Sequence, residues 1–389
     1  MIHLNEHISF SKMRLLSISF ICLLFAFLAA SCNIFNSKST TEPDVQFVEI
    51  TKWYNDFHAV YTPTLDDGPP SFFDVENEWL IEHGLFMDYE IVSEIYDLLP
   101  QRLIPFHEQL IPNGFGYFGH GHAHDNHDLF TYEEALASFT LNFQRMESYG
   151  FRPVAYAYPY GAGIENSTVE ALRDSGFLSG RLHRKEFEDY GPCIMPGDEL
   201  EPPDWFRLPT LPMQSFDFEQ RADYVNNPEE FFSYFEPCIE QGGWITSTYH
   251  GIGHDGVNRP ISWGFYYRDE FYAEMLRVKE LMEEGTLWLA QLNHVTLYVY
   301  QRNAATVSFN EIEENTFEIL VDDNLDRDRF YHELTLKFNL SDDFLSEVKQ
   351  VVISNTTNNT FFEIDLNETE LLVNLLPSSF PYIMNFIPK

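Results

Sequence analysis

The sequence is poor in basic residues and in cysteine. It holds 23 Lys plus Arg against 61 Asp plus Glu, which gives a formal net charge of −38 at pH 7. A surface of that charge would repel a phosphate backbone, so we expect no binding to nucleic acid. Only four cysteines occur, and the spacing of Cys193 and Cys238 leaves open both a disulfide and two separate buried thiols. Their spacing does not indicate a metal cluster.

Beyond the first thirty residues the chain lacks any apolar run long enough to span a bilayer. Two basic residues precede an apolar run over residues 15–30, and small residues follow it up to Cys32. This order is typical of an export signal, and a cysteine in that place resembles a bacterial lipobox. We therefore expect residues 1–31 to be a lipoprotein signal peptide, Cys32 to be lipidated, and residues 32–46 to be a tether at the bacterial cell envelope. An ordinary cleaved signal or an uncleaved anchor is the alternative.

Apolar and aromatic residues are plentiful, at 44% and 16% of the chain, which excludes a disordered or fibrous protein. Over residues 47–303, short apolar strands alternate with amphipathic helices, one of which begins at a capping box of Thr131 and Glu134. This alternation predicts an α/β fold with a parallel sheet or barrel, whose functional residues lie at the carboxyl ends of the strands. Six short alternating runs separated by turn residues then predict a small all-β sandwich over residues 305–389.

Two adjacent carboxylates, Asp66 and Asp67, come directly after a predicted strand. At such a position one carboxylate can bind a cation while the other takes a proton. The alternative is a solvated turn, because Asp-Asp-Gly is common in turns.

Four histidines lie within residues 120–127. A single helical turn between His120 and His124 would aim both imidazoles at one point, and imidazole together with carboxylate suits zinc. His122 and His127 could support these ligands from behind or simply be solvated. A surface loop that binds metal adventitiously is the alternative.

Two further segments place a polar group at a predicted strand end. Tyr160 lies between a proline and a glycine, and His250 is followed by a glycine that would let a ligand approach closely. Taken alone, a turn of the first kind and a histidine of the second kind are more often structural.

Taken together and in this order, the four segments resemble the polysaccharide deacetylases of carbohydrate esterase family 4, over about residues 47–303. Residues 64–68 match the block Thr-Phe-Asp-Asp-Gly with leucine in place of phenylalanine, and His120 and His124 match the His-x-x-x-His block. Residues 159–161 match Pro-Tyr-Gly. The late Leu-x-His block is matched at the histidine alone, by His250.

The resemblance implies a distorted (β/α)7-type barrel that removes N-acetyl groups from an acetylated polysaccharide or oligosaccharide. Asp67, His120 and His124 would hold a divalent metal, zinc or cobalt. Asp66 would be the base that deprotonates the attacking water. The backbone N–H of Tyr160 would help to hold the oxyanion, and His250 would protonate the departing amine.

The chain departs from the family at Ala157, where an arginine normally orients the base and keeps it ionised. Either the charge of the metal keeps Asp66 ionised or another cation pairs with it; we expect Arg207 to be that cation, with Arg181 as the second choice. Asp204, beside Trp205, is similar to the family's Asp-Trp block and would tune the catalytic histidine. An O-acetyl esterase acting on xylan-like chains and a catalytically dead carbohydrate-binding lipoprotein are the alternative functions.

Overall fold

The computed structural model describes residues 43–67, 76–217, 223–253, 264–357 and 359–389. The predicted signal peptide, Cys32, most of the tether and Gly68 lie outside the described residues. No helix within the described ranges is long and apolar enough to cross a membrane. The strands, in chain order, are β1 Val45–Ile50, β2 Ala59–Leu65, β3 Asp88–Ile91, β4 Gly116–Gly119, β5 Ala155–Ala157, β6 Ser179–Arg181, β7 Cys193–Ile194, β8 Leu211–Met213, β9 Phe216–Asp217, β10 Trp244–Tyr249, β11 Ile252–Gly253, β12 Gly264–Tyr267, β13 Leu287–Leu289, β14 Thr306–Glu313, β15 Thr316–Asp322, β16 Leu334–Leu340, β17 Val348–Asn355, β18 Thr360–Asp365, β19 Glu370–Leu375 and β20 Tyr382–Pro388.

Helices lie between most strands of the first part of the chain. The helices of six or more residues are α1 Glu76–Glu82, α2 Ser93–Leu98, α3 Tyr132–Ser148, α4 Asn166–Ser175, α5 Pro228–Glu240, α6 Arg268–Glu283, α7 Leu292–Ala304 and α8 Asp342–Glu347. Shorter helical turns are Tyr54–Asp56, Pro100–Arg102, Leu103–Pro105, Phe106–Leu110, Ile111–Asn113, His127–Leu129 and Pro159–Gly161. The predicted capping box is confirmed, since the Thr131 side chain accepts from the Glu134 N–H and the Glu134 side chain accepts from the Thr131 N–H.

The main sheet runs in the order β6-β5-β4-β3-β2-β10-β7, with β13 also paired to β2 and β8 also paired to β10. Its pairings are parallel except for the antiparallel pair of β10 and β7. Residues 208–213 connect the two sides of the sheet. The Leu208 N–H donates to the carbonyl of Gly180 in β6, the Leu208 carbonyl accepts from the Leu182 N–H, and the following strand β8 pairs with β10. The curled sheet with its helices confirms the predicted α/β barrel class.

Two antiparallel sheets form the C-terminal domain, in the orders β1-β16-β19 and β14-β15-β20-β17-β18. Their inner faces share one apolar cluster, which includes Phe338 and Val373 from the first sheet and Ile319 and Met384 from the second. The predicted all-β sandwich is therefore present, and the six predicted strands all occur. Each is held by antiparallel neighbours whose apolar residues alternate.

The predicted boundary near residue 47 is wrong. Strand β1, Val45–Ile50, was divided between the tether and the barrel, yet it pairs antiparallel with β16 and so completes the smaller sheet of the sandwich. Its alternating pattern is too short to show which sheet it joins, since a strand's partner depends on the path of the whole chain.

Cys193 in β7 and Cys238 in α5 form a disulfide. This bond decides between the two alternatives that the spacing left open. It links the edge of the main sheet to the helix that packs beside it, across 45 residues of sequence.

Candidate active site

The predicted site residues come together at the carboxyl ends of the parallel strands. Asp66 and Asp67 follow β2, His120 follows β4 and His250 follows β10. Parallel strands end at the same edge of a sheet, so residues distant in sequence meet there. The backbone confirms the closeness of two of these ends, because the Asp66 N–H donates to the Tyr249 carbonyl at 2.8 Å.

Asp67, His120 and His124 present their ligand atoms within 4.8 Å of one another. Asp67 Oδ1 lies 3.0 Å from His124 Nε2 and 4.0 Å from His120 Nε2. The predicted helical turn is wrong, because no helix spans these residues and His124 lies in the left-handed region at φ 56°. Asp67 is also left-handed, at φ 63°. Non-glycine residues held in this region often mark functional sites, because the surrounding structure has to offset their strain.

The tautomer of His120 suits a metal ligand. Its Nδ1 lies 2.9 Å from the Ala157 carbonyl, an atom that can only accept, so Nδ1 carries the hydrogen and Nε2 the lone pair. Burial lowers the pKa of His120 to about 4, so the ring is neutral at pH 7. Its Nε2 nevertheless faces the Asp67 carboxylate and lies 3.3 Å from Glu90 Oε2. The His120 lone pair and the Asp67 carboxylate therefore point into one region, and a set of two imidazoles and a carboxylate fits zinc.

Asp66 is paired with an arginine, although not with the one predicted first. Arg181 Nη2 donates to Asp66 Oδ1 at 2.5 Å and to Oδ2 at 2.7 Å, and only 2% of the Asp66 surface is exposed. Burial alone would raise the pKa of Asp66, but the guanidinium outweighs it and holds that pKa below its usual value. Arg181 is the cross-strand neighbour of Ala157 in the pairing of β5 with β6. Residue 157 is an alanine and carries no charge, and Asp66 receives its positive partner from Arg181 on the adjacent strand.

The prediction that Arg207 pairs with Asp66 is wrong. Arg207 donates to the carboxylate of Asp204 at 3.0 Å, to the carbonyls of Gly163 and Ile164, and to the side chain of Asn166. Through these contacts Arg207 links the loop before α4 to the segment before β8. Asp204 and Arg207 are only three residues apart in sequence, so their ion pair is a local contact.

Asp204 does not reach His250 either. Its carboxylate also accepts from the Phe206 N–H, which closes a small turn around Arg207. The predicted tuning of the catalytic histidine by Asp204 is therefore wrong. The side chain that lies next to the His250 ring is His183, with ring centroids 4.8 Å apart and edge-to-face geometry.

His183 completes a second cluster, together with Asp66 and His250. One ligand atom from each of the three lies within 4.8 Å of the other two. Burial lowers the pKa of both histidines, and the carboxylates of Asp66 and Asp67 oppose that shift at His250. His183 Nε2 also lies 3.2 Å from the hydroxyl of Tyr224. The sequence offered one signal for His183, namely its position two residues beyond Arg181, where an extended chain presents side chains on the same face.

Glu90 is a further acidic residue that the sequence reasoning missed. It lies within β3, is almost fully buried, and contacts His120. Burial and the nearby carboxylates of Asp67 and Asp66 raise its pKa well above the usual value. The signal for this residue was the stretch Asp88–Ile91, in which acidic and apolar residues alternate as they do in a strand.

Tyr160 lies beside His124, one of the paired histidines. Its ring centroid is 4.7 Å from that of His124, its φ is 56°, and 71% of its surface is exposed. The left-handed conformation turns the backbone sharply after β5, so the peptide of Tyr160 borders the site rather than continuing the strand.

His122 and His127 are not part of the three-residue cluster. His122 Nδ1 lies 3.0 Å from the hydroxyl of Ser93. His127 is buried, stacks on Phe139 and lies 2.9 Å from the hydroxyl of Ser138. Burial lowers the pKa of His127 to about 4. Both residues therefore hold the loop that carries His120 and His124.

A cavity of about 570 Å³ opens onto these residues. Among the described residues it is lined by Asp66, Asp67, His120, His124, Tyr158, Tyr160, Gly161, His183, Arg184, Pro212, Asp223, Tyr224 and His250. A cavity of this size accommodates a sugar unit, and the predicted metal ligands, base and acid all border it.

Comparisons with known proteins give similarities of fold at low identity. No protein-family model matches the chain. No curated protein matches it. A putative polysaccharide deacetylase from Mycobacterium smegmatis superposes with a TM-score of 0.44 at 15% identity, covering 69% of this chain and 99% of that one.

Two further solved structures are similar at lower TM-scores. A mutant peptidoglycan deacetylase from Bacillus subtilis gives a TM-score of 0.36 at 16% identity, covering 63% of this chain and 92% of that one. A family 4 carbohydrate esterase from Streptomyces lividans in complex with acetate gives 0.35 at 11% identity, with 60% and 92% covered. At such scores the functional assignment depends on the residues of the site.

Proposed function

We propose that this protein is a metal-dependent hydrolase that removes N-acetyl groups from an acetylated polysaccharide. The observation that carries the proposal is a buried carboxylate and arginine pair, Asp66 and Arg181, directly beside the cluster of Asp67, His120 and His124. An ionised base next to a set of cation ligands is an arrangement suited to the hydrolysis of an amide by water.

The three ligands would hold a divalent cation, zinc or cobalt. Such a cation acts as a Lewis acid on an acyl carbonyl and lowers the pKa of a water molecule when it is bound. Asp67 suits the role of ligand because it stays ionised: burial would raise its pKa, but the neighbouring histidines outweigh burial and hold that pKa below the usual value. The hydrogen bond from His120 Nδ1 to the Ala157 carbonyl orients the second imidazole.

Asp66 acts as the general base in this proposal. Its carboxylate is held in place by Arg181 and stays ionised at neutral pH, so it can take the proton of the attacking water.

His250 gives its proton to the departing amine. Burial lowers its pKa, so the protonated ring is a stronger acid than ordinary histidine but is populated only at lower pH. Activity should therefore decline as the pH rises through this pKa. The backbone N–H of Tyr160 would donate to the oxyanion that develops on the acetyl carbonyl.

Release of acetate tests the proposal. Purified protein should release acetate from N-acetylated chitooligosaccharides faster than from acetylated xylan, should lose activity with a chelator, and should regain it with zinc or cobalt. Faster release from xylan would replace the N-deacetylase with an O-acetyl esterase. Failure to release acetate from either substrate, in a protein that binds oligosaccharide, would favour a catalytically dead carbohydrate-binding lipoprotein.

We further propose that the chain is anchored to a bacterial envelope membrane through a lipid on Cys32. The basic, apolar and small-residue segments before Cys32 support this placement. Expression in a bacterial host fed with labelled palmitate should label the wild-type chain and should not label the Cys32→Ser variant. Equal labelling of both chains would remove Cys32 from this role.

A further inference from the structure

The segment after β6 carries an arginine that the proposed chemistry does not use. Arg184 lines the same cavity as Asp66, Asp67 and the histidines. It is half-buried, and its Nε atom is enclosed by protein without a hydrogen-bond partner. Nε is thus closed off from a ligand, whereas the two Nη groups are not enclosed in this way and make no hydrogen bond to the described residues, so their donors remain for a ligand.

The backbone that carries Arg184 is held firmly on one side. Its carbonyl accepts from the Thr210 N–H at 2.9 Å, and the Leu182 N–H donates to the Leu208 carbonyl at 2.8 Å. The hydroxyl of Thr210 in turn lies 2.9 Å from that of Thr248 in β10. The backbone of Arg184 is therefore hydrogen-bonded to the barrel and does not belong to a free loop. A fixed backbone of this kind favours selective binding.

The positive charge of the Arg184 guanidinium is also not neutralised by an acidic side chain of the described residues. The structure records no ion pair between it and a carboxylate of the described residues, including Asp223, which lines the same cavity. The neighbouring cations differ, because Arg181 bonds to Asp66 and Lys185 lies 3.6 Å from Glu230.

We propose that Arg184 binds an anionic substituent of the polysaccharide, a carboxylate or a phosphate, on the acetylated sugar or its neighbour. This inference rests on the proposed function and narrows its substrate class to acidic acetylated glycans. A planar guanidinium matches both groups through paired N–H donors. The negative surface of the protein would repel such a chain at long range, so a local cation at the cavity is needed to hold it.

Equilibrium binding by calorimetry tests Arg184 independently of catalysis. The probes are tri-N-acetylchitotriose, the same trisaccharide carrying a 6-phosphate, and a tetrasaccharide of alternating N-acetylglucosamine and glucuronic acid. We expect the full-length wild type to bind at least one anionic probe more tightly than the neutral one. The preferred anionic probe shows whether carboxylate or phosphate is recognised.

Arg184→Met should weaken binding of the preferred anionic probe by about 10- to 100-fold and leave the neutral probe unchanged, because it removes a charge-assisted hydrogen bond. Arg184→Lys should retain part of the affinity. Arg102→Met is the matched control, since it removes the same charge from a helical turn that does not line the cavity. Added salt should weaken binding of the anionic probe to the wild type, which tests the inference without any variant.

Two results would overturn the inference. One is wild-type binding that favours the neutral probe at low salt, and the other is an equal loss for all probes in a folded Arg184→Met variant. Acetate release from the neutral trisaccharide, together with equal binding of the anionic probes by the wild type and Arg184→Met, would show that the proposed function stands while the anionic subsite fails. Anionic binding through Arg184 without acetate release would show the reverse.

Discussion

Replacing Arg181 with methionine removes the only charge that the structure pairs directly with Asp66 among the described residues. The carboxylate would then lie buried without compensation, at a cost of ~3–5 kcal/mol if it stayed ionised. It would avoid this cost by taking up a proton, since burial raises its pKa once the guanidinium is gone. The base would be available only at higher pH.

Two consequences for catalysis can be measured in a pH profile of acetate release. The acidic limb of kcat/KM should move upward by about 1–2 pH units, and turnover at neutral pH should fall by about 10²-fold. Arg181→Lys keeps the charge but loses the contact of the guanidinium with both carboxylate oxygens of Asp66. Its pH profile of acetate release should therefore lie between those of the wild type and Arg181→Met. The double variant Ala157→Arg with Arg181→Ala should regain part of the activity, because the two positions are cross-strand neighbours.

Arg207→Met is the matched control for this series. It removes an arginine that binds Asp204 and backbone carbonyls rather than Asp66, so it should lower stability and leave the acidic limb in place. An acidic limb that moves with Arg207→Met and stays fixed with Arg181→Met would refute the assignment of the ion pair.

Three predictions concern stability. Asp88→Ala should lower the free energy of unfolding in denaturant by about 1–3 kcal/mol, because the buried carboxylate accepts at 2.6 Å from the first N–H of α7, and an unchanged midpoint would contradict this. Burial lowers the pKa of His294 to about 3 and of His332 to about 4, so both fold in the neutral form. Stability should therefore be fully present above pH 6.5 and fall as the pH drops toward 4, by on the order of 1 kcal/mol per pH unit for each histidine, with a smaller slope in His332→Gln. Reduction of the disulfide between Cys193 and Cys238 should lower stability by about 2–4 kcal/mol in paired melts with and without reductant, and identical melts would contradict this.

The predictable part of the fold is the part with a local pattern. The six alternating runs of the sandwich and the capping box of Thr131 depend on periodicity and on neighbouring residues, which the sequence displays directly. Strand β1 could not be placed in the same way, because its partner β16 lies about 290 residues away and nothing in either strand specifies the other. Pairing across such distances depends on the topology of the intervening barrel.

The same difference between local pattern and long-range pairing decides which residues of the candidate site could be predicted. Asp66, Asp67, His120, His124 and His250 could be predicted, because each stands at a strand end in a recognisable order. The partner of Asp66 could not be chosen correctly, because the register that places Arg181 beside Ala157 is a property of the assembled sheet.

Glu90 and His183 were missed for a related reason. Neither residue belongs to a motif that the sequence displays, and single buried polar residues are usually satisfied within the core. Only the folded sheet shows that Glu90 lies beside His120 and that His183 lies beside Asp66 and His250.

The division of labour between Asp66 and Asp67 is the central claim, and metal content measured together with acetate release tests it most directly. Wild type, Asp66→Asn and Asp67→Ala would be purified identically, loaded with zinc, freed of excess metal and analysed for metal per chain. We expect Asp66→Asn to keep its zinc and lose turnover, and Asp67→Ala to lose both. Equal zinc loss in the two variants, or full zinc occupancy in Asp67→Ala, would contradict the assignment of ligand and base.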